Sequence, residues 1–305
     1  MLKLKTINTH GACYWVNNKS PQEIKKLGSF WTIAIDGFNH NLTNYKNGIL
    51  NDSLVEGAAI HGRSCYLGMD NQRNHYFAKG TGWNHVCGWK PSFGSLGILP
   101  LWAAKRERDI SLALQDTSIE VVTPISILQH KKIPEFSSTD IECNFIDAES
   151  ISDLDGSPAN PSVYIYSSKS RWRLADIFFF NEQERNEILF KDITPLDWFV
   201  QLIKSITVST ATLHNLGGYD YSLSTHNVFI DGTRLDFEYV VLGSHPHPNK
   251  ILNENTDTWR QKEIYGLKTL AWELAELLRI NIAVNEIDLI LKSEYEANSN
   301  FIYPF

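Results

Sequence analysis

The sequence predicts an α+β protein of two lobes, a strand-rich first part and a helical second. Three observations carry this. Short β-prone runs punctuated by glycine and polar residues dominate the early chain, near 29–36, 58–68 and 75–79. Apolar residues at 196, 199, 200, 203 and 206 form the stripe of a core-facing helix over 195–213, and a long helix is expected over 257–279. The two kinds of segment are segregated, which suggests an α+β protein with two lobes. At 305 residues the chain is long enough for two lobes with a sizeable core, expected over 1–130 and 131–305.

Between these landmarks, residues 1–28 are polar and carry no clear period, and the Gly/Trp/Pro-rich stretch 80–91 does not fit one regular element. The run LWAAKRERDISLALQ from Leu101 is rich in helix formers, with Ile110, Leu112, Ala113 and Leu114 as its apolar positions. IEVVTPISIL reads as a strand interrupted at Pro124, and SVYIYS (162–167) as another strand. Residues 134–160, rich in Ser, Asp, Asn and Pro, read as a surface insertion or a link between lobes. Leu216-Gly217-Gly218 ends the 195–213 helix. VFI, then Asp231-Gly232, then RLDF reads as a hairpin with a tight turn.

Composition narrows the function class. The chain is 43% hydrophobic and 21% charged, with a net charge of −7, which argues against a general nucleic-acid or membrane-surface binder. No apolar run approaches the ~18 residues of a membrane span. The N-terminus lacks a signal peptide's apolar core, so a cytoplasmic protein is the default expectation. The four cysteines (13, 65, 87 and 143) form no CxxC pair and read as buried free thiols.

The segment DYSLSTHNVFIDGTRLDFE, Asp220 to Glu238, carries the most chemistry. Asn227 precedes the hairpin and Asp236 ends it nine residues later, so an amide oxygen and a carboxylate meet at one strand end. Hard cations such as Mg²⁺ take oxygen ligands of this kind together with phosphates, and kinases hold their metals with a loop Asn and a turn Asp. The plainer alternative is a polar hairpin with Asn and Asp as turn residues. Lys79 ends the strand HYFAK before Gly80-Thr81-Gly82, where it can reach an ATP phosphate; the alternative is a solvated lysine. Glu107 lies on the following helix, where kinase folds place a glutamate partner for that lysine; the alternative is a solvated charged face. Lys169, Arg171 and Arg173 follow the SVYIYS strand and could clamp a polyphosphate or form ordinary surface charge. Lys on a strand, Glu on a helix, Asn in a loop and Asp after a hairpin stand in kinase order, and a protein-kinase-like fold is the expectation.

The order and the local strings resemble selenoprotein O, a family of kinase-like protein adenylyltransferases. AKGTG resembles the family's LKGAG and puts Lys79 and Gly80 at its phosphate-binding segment. HGRSCYLG resembles the string before it and retains Gly62, Arg63, Leu67 and Gly68. AAKRERDISLALQDTSI aligns without a gap on the family's helix and puts Glu107 on its glutamate; SRWRLA puts Arg173 on a phosphate-contacting arginine. DYSLSTHN followed by Asp236-Phe237-Glu238 occupies the metal loop and the DYG motif. The resemblance covers roughly 58–280 in islands, and the chain is shorter than usual members.

The chain also departs from the family pattern. The family's second arginine falls on Tyr166, with Lys169 or Arg171 as candidate replacements. The acidic residue before the metal Asn is His226, the loop's initial His is Asp220, and the Gly of DYG is Glu238. An ordinary kinase has its catalytic Asp where Ser222 stands.

The resemblance implies an enzyme that binds ATP and Mg²⁺ and transfers AMP to a hydroxyl on a protein, peptide or small molecule. Asn227 and Asp236 would hold the metal. Lys79, supported by Glu107, with Gly80, Arg63, Arg171 and Arg173, would bind the nucleotide, and His226 is the candidate base. The rivals are a small-molecule or protein kinase, a glutamylating kinase-fold enzyme, and a nucleotide-binding scaffold without turnover.

Overall fold

The structure, a computed structural model, describes residues 3–8, 12–18, 30–34, 54–57, 64–81, 98–134, 145–153 and 156–304. Arg63, Gly82, Cys87, Cys143 and the expected strand residues 58–63 lie outside them. The chain divides into two units, the first of residues 1–108 and 123–169, the second of 109–122 and 170–305. The division differs from the boundary expected at 130/131, because the strand after the presumed insertion belongs to the first unit's sheet.

That sheet is antiparallel. Its strands, in chain order, are β1 (Lys3–Asn8), β2 (Ala12–Val16), β3 (Phe30–Ala34), β4 (Leu54–Gly57), β5 (Ser64–Met69), β6 (His75–Lys79), β7 (Leu99–Pro100), β8 (Thr123–Gln129) and β11 (Pro161–Ser168). They are ordered β2-β8-β11-β6-β5-β4-β1-β3, with β7 added to the end of β11. β9 (Lys132–Pro134) and β10 (Phe145–Asp147) form a separate ladder. So 134–160 is not simply an exposed linker: Ala148 and Ala159 are buried, and Ile146 and Ile151 pack on Ile98 and Ile133. Pro124 does not interrupt its strand. It stands second in β8, opposite Tyr166, at a register shift that lets the ladder do without its N–H.

The middle of the sheet explains the position of Lys79. β11 is buried at all eight residues, as expected of a strand covered on both faces. Lys79 is held in register by Tyr164 of β11 and Ser64 of β5. Phe77 stacks on Tyr166, ring centroids 5.3 Å apart. The chain then turns at Gly80, with φ +89. A Cβ here would lie 2.2 Å from the Ser162 carbonyl oxygen and 2.5 Å from the Leu99 Cβ. Gly80→Ala is therefore expected to cost about 3 kcal/mol, from overpacking and left-handed strain together. A loss below about 1 kcal/mol in urea unfolding would show that the strand end relaxes freely.

His130, 2% exposed, hydrogen-bonds the Gly80 backbone, and burial pulls its imidazole down from 6.5 to about 4. The unfolded chain takes up this proton near 6.5, while the folded chain refuses it until about 4. Stability should therefore fall as pH drops through that window, by about 3 kcal/mol from this group. The stability difference between wild type and His130→Gln, followed by urea unfolding from pH 7 to pH 4.5, should shrink accordingly. A difference that stays flat with pH would contradict the assignment.

The first helix, α1 (Leu101–Leu114), runs across the two residue sets: its residues to Arg108 group with the sheet and those from Asp109 with the second unit. Ala103, Ala104, Ile110 and Leu114 are buried, while Leu112 and Ala113 face outward, unlike the sequence expectation. Lys105 lies over the Tyr14 ring at 4.7 Å and Arg108 over Trp15 at 5.3 Å, so β2, in a region with no legible period, seats this helix.

The second unit is helical. α2 (Glu182–Ile188) is capped by Asn181. α3 (Pro195–Asn215) starts with Thr194 accepting the Asp197 N–H and Pro195 in the first turn, a strong start signal. Phe199, Ile203 and Ile206 bury the expected stripe, but Leu196 is exposed. The helix ends as expected: Gly217 is left-handed (φ +72), and Gly217 and Gly218 donate to the His214 and Leu213 carbonyls. α4 (Thr256–Leu277) and α5 (Val284–Asn298) pack on α3 around Leu267, Leu270, Leu274, Ile287 and Leu291. Strands β12 (Tyr219–Asp220) and β13 (Val240–Val241) frame the loop between them. Cys65 is buried, with its thiol pushed up to about 12 by burial, but Cys13 is exposed, against the expectation of buried thiols throughout. No helix among the described residues is long and apolar enough to cross a membrane.

Candidate functional site

In the first unit, the lysine and glutamate singled out from sequence meet. Lys79 Nζ donates to Glu107 Oε1, joining the end of β6 to α1, and the two residues are 4% and 2% exposed. This removes the solvated-charge alternatives for both. Burying two charges costs several kcal/mol each unless they are paired and further bonded, so the pair is a constrained feature. Tyr166, at the position of the missing arginine, is 1% exposed and stacked on Phe77. It is part of the sheet's core.

In the second unit, the hairpin forms as expected, in bridges rather than full strands. Val228 pairs with Arg234, the Phe229 N–H donates to the Thr233 carbonyl, and the Leu235 N–H donates to the Asn227 carbonyl. That last bond places Asp236 beside Asn227. Asp236 is left-handed (φ 64, ψ 59) and opens a 3-10 turn, Phe237–Tyr239. A non-glycine residue held there marks a position that its surroundings over-determine. Asn227 is 6% exposed; its Nδ2 donates to the Ser222 carbonyl, while its Oδ1 is buried and accepts no hydrogen bond. A shielded amide oxygen left without an N–H costs about 1–3 kcal/mol, and it is the donor type a hard cation takes. The residues thus fit an oxygen-ligated divalent cation.

The loop rests on a buried ionic network absent from the sequence reading. Arg234 Nη2 donates to Asp220 Oδ2 at 2.7 Å and Glu263 Oε1 at 3.0 Å, and its Nη1 reaches Ser209 Oγ at 3.3 Å. Glu263 Oε2 bonds His214 Nε2 at 3.0 Å and accepts the Asp220 N–H at 2.7 Å; His214 Nδ1 meets the Tyr295 hydroxyl at 2.7 Å. Ser222 donates both its N–H and its hydroxyl to Asp220 Oδ1, each at 2.8 Å. Burial drives the Asp220 carboxyl up, with Arg234 opposing and Glu263 adding to the rise. Burial would also raise Glu263, but the His214 bond and Arg234 hold it below the ordinary range. One signal was readable: Glu263 falls on the same face of α4 as buried Leu267, Leu270 and Leu274.

Arg171, Arg173 and His226 lie on the same unit, while Lys169 groups with the first. Arg173 is buried, donates Nη1 to the His226 carbonyl at 3.1 Å, and takes the Asp176 carboxylate on its own N–H at 2.8 Å. It therefore braces the loop directly. Arg171 lies over the Trp172 ring at 4.0 Å, and burial lowers its guanidinium to about 8, with Asp176 opposing. His226 is half-buried; burial and then the Arg173 charge lower its imidazole, with Asp236 opposing, which favours the neutral ring at neutral pH.

The strand lysine paired to a helix glutamate, followed by a helical unit with an Asn/Asp loop, is the element order of a kinase-like fold. No protein-family model matches the chain, and no curated protein does. Among solved structures, the kinase domain of a Toxoplasma gondii specific rhoptry antigen is similar to it at 12% identity and a TM-score of 0.40, over 82% of this chain and 75% of that one.

Proposed function

We propose that this chain is an ATP-dependent transferase on a kinase-like scaffold, and that it transfers AMP to a hydroxyl acceptor. The observation that carries the reading is the buried Lys79–Glu107 pair, which fixes a cation at the end of β6, next to a backbone turn that only glycine fits. Lys79, with Arg173 and Arg171, would bind phosphates. Asn227 and Asp236 would hold Mg²⁺, which when bound neutralises phosphate charge. Arg63 and Gly80 belong to the nucleotide segment by resemblance alone.

In the transfer, the acceptor oxygen bonds to the α-phosphorus and the bond from that phosphorus to the bridging oxygen breaks. Pyrophosphate leaves, and the hydroxyl proton goes to His226, whose lowered pKa keeps the ring able to accept it. The state of Asp220 supports AMP transfer over phosphorylation. It is the loop's one carboxylate before Asn227, and both its oxygens are committed to Arg234 and Ser222. Ser222, where a kinase base would stand, offers no carboxylate.

The test is label transfer with Mg²⁺ and a hydroxyl-bearing acceptor set, including the protein itself. Label on the α-phosphate of ATP should enter product and label on the γ-phosphate should not. The reverse pattern would make the chain a kinase. Metal-dependent ATP binding with no transfer of either label would make it a scaffold. Lys79→Arg keeps the charge and the pairing geometry only in part, because a planar fork replaces a point charge. It is expected to lower transfer about 10–100-fold, beyond any loss of folded protein that thermal melts on the same preparation record. Wild-type transfer by this variant would remove Lys79 from the phosphate-binding role.

A further inference from the structure

Glu238 stands where the resembled family has glycine. The structure gives it a specific setting. It is the second residue of the 3-10 turn that Asp236 opens, and it is 5% exposed. Its carboxylate oxygen lies within 4.8 Å of one from Asp236. Two ligand oxygens on one Mg²⁺ stand at most about 4.2 Å apart, and on one Ca²⁺-sized ion about 4.8 Å, twice the metal–oxygen distance. The spacing thus suits two carboxylates that share a cation or bridge neighbouring ones. The orphaned Oδ1 of Asn227, on the residue whose carbonyl holds the Leu235 N–H next to Asp236, is an independent sign of a cation at this strand end.

We propose that Glu238 is a further metal-binding residue, which makes this a two-carboxylate site for a divalent cation in place of the single carboxylate that the kinase-order reading assigns. The inference rests on the metal role of Asn227 and Asp236 proposed above and adds a ligand to it. The left-handed start at Asp236 is what makes it possible. Asp236 opens the 3-10 turn from the left-handed region, and Glu238 follows as that turn's second residue. The second negative charge would let the site gather a cation before any nucleotide arrives, whereas a one-carboxylate site depends on phosphate oxygens to complete the shell.

The test is Mn²⁺ binding to the full chain without nucleotide, read from the loss of the free-ion electron paramagnetic resonance signal, with circular dichroism and thermal melts as fold controls. Wild type should bind Mn²⁺, Asp236→Asn should bind none in the accessible range, and Glu238→Gln should weaken binding about 10–100-fold. Glu238→Asp keeps the charge but draws it back by one methylene; it should weaken binding less than Glu238→Gln and serves if the glutamine variant fails to fold. Wild-type affinity in Glu238→Gln, with binding lost in Asp236→Asn, would overturn the role of Glu238 and leave the Asn227–Asp236 site standing. No Mn²⁺ binding by wild type, or binding untouched by Asp236→Asn, would overturn both.

Discussion

Asp236→Asn is expected to reduce ATP turnover on the order of 10³-fold, the scale on which removing one preorganised charge partner acts, with the fold intact. The expectation separates function from stability because asparagine tolerates the left-handed backbone that Asp236 adopts. The backbone contact of this residue, its carbonyl facing the Ser222 hydroxyl at 3.4 Å, does not depend on the side chain. What the substitution removes is the negative charge one residue beyond the Leu235–Asn227 backbone bond. Turnover of labelled ATP, measured with thermal melts on the same preparations, checks it. Activity above a tenth of wild type in a folded variant would take Asp236 out of the metal-binding role. Asn227→Ala should fall comparably in turnover, and in addition lose about 1 kcal/mol of stability with the Nδ2 bond to the Ser222 carbonyl.

Arg234→Met should cost about 3–5 kcal/mol of stability. Arg234 is 1% exposed and its guanidinium is the shared partner of Asp220 and Glu263, both fully buried. Methionine fills much of the volume but leaves two carboxylates in an apolar setting without their cation. The mechanism predicts its own rescue: Asp220→Asn and Glu263→Gln added to Arg234→Met should recover part of the loss, since the unpaired charges go. Urea unfolding of the single and triple variants decides it. A single variant within 1 kcal/mol of wild type, or a triple variant no better than the single, would show that the network is not what holds the loop.

Elements with a strong local period were legible from sequence. The HYFAK strand, the α3 helix with its apolar stripe and glycine stop, and the hairpin around Asp231-Gly232 each follow from neighbouring residues. The pairing of Lys79 with Glu107 followed from order and spacing, not from any local pattern. Contacts between distant, individually ordinary residues were not legible. β1 and β2 lie in a polar stretch and gain their regularity from partners far along the chain, β2 from β8. Nothing in the local sequence links Arg234, Asp220 and Glu263, and only their joint burial, with Glu263 on α4, reveals them. Glu238 was noticed as a mismatch, but its proximity to Asp236 depends on a backbone conformation that no residue type announces.

The parallel bridge between Val121 and Arg234, with the Arg234 N–H on the Glu120 carbonyl and the Val122 N–H on the Arg234 carbonyl, has a consequence for how the protein is made. Residues 109–122 belong to the second unit although the described residues of 123–169 group with the first. On the ribosome Val121 emerges early, and its bridge cannot form until the hairpin bearing Arg234 has been synthesised. Translation speed between the two, and any chaperone that shelters the waiting segment, should therefore bear on yield more than the same delay placed after Arg234. A fragment begun at 131 would never acquire the bridge.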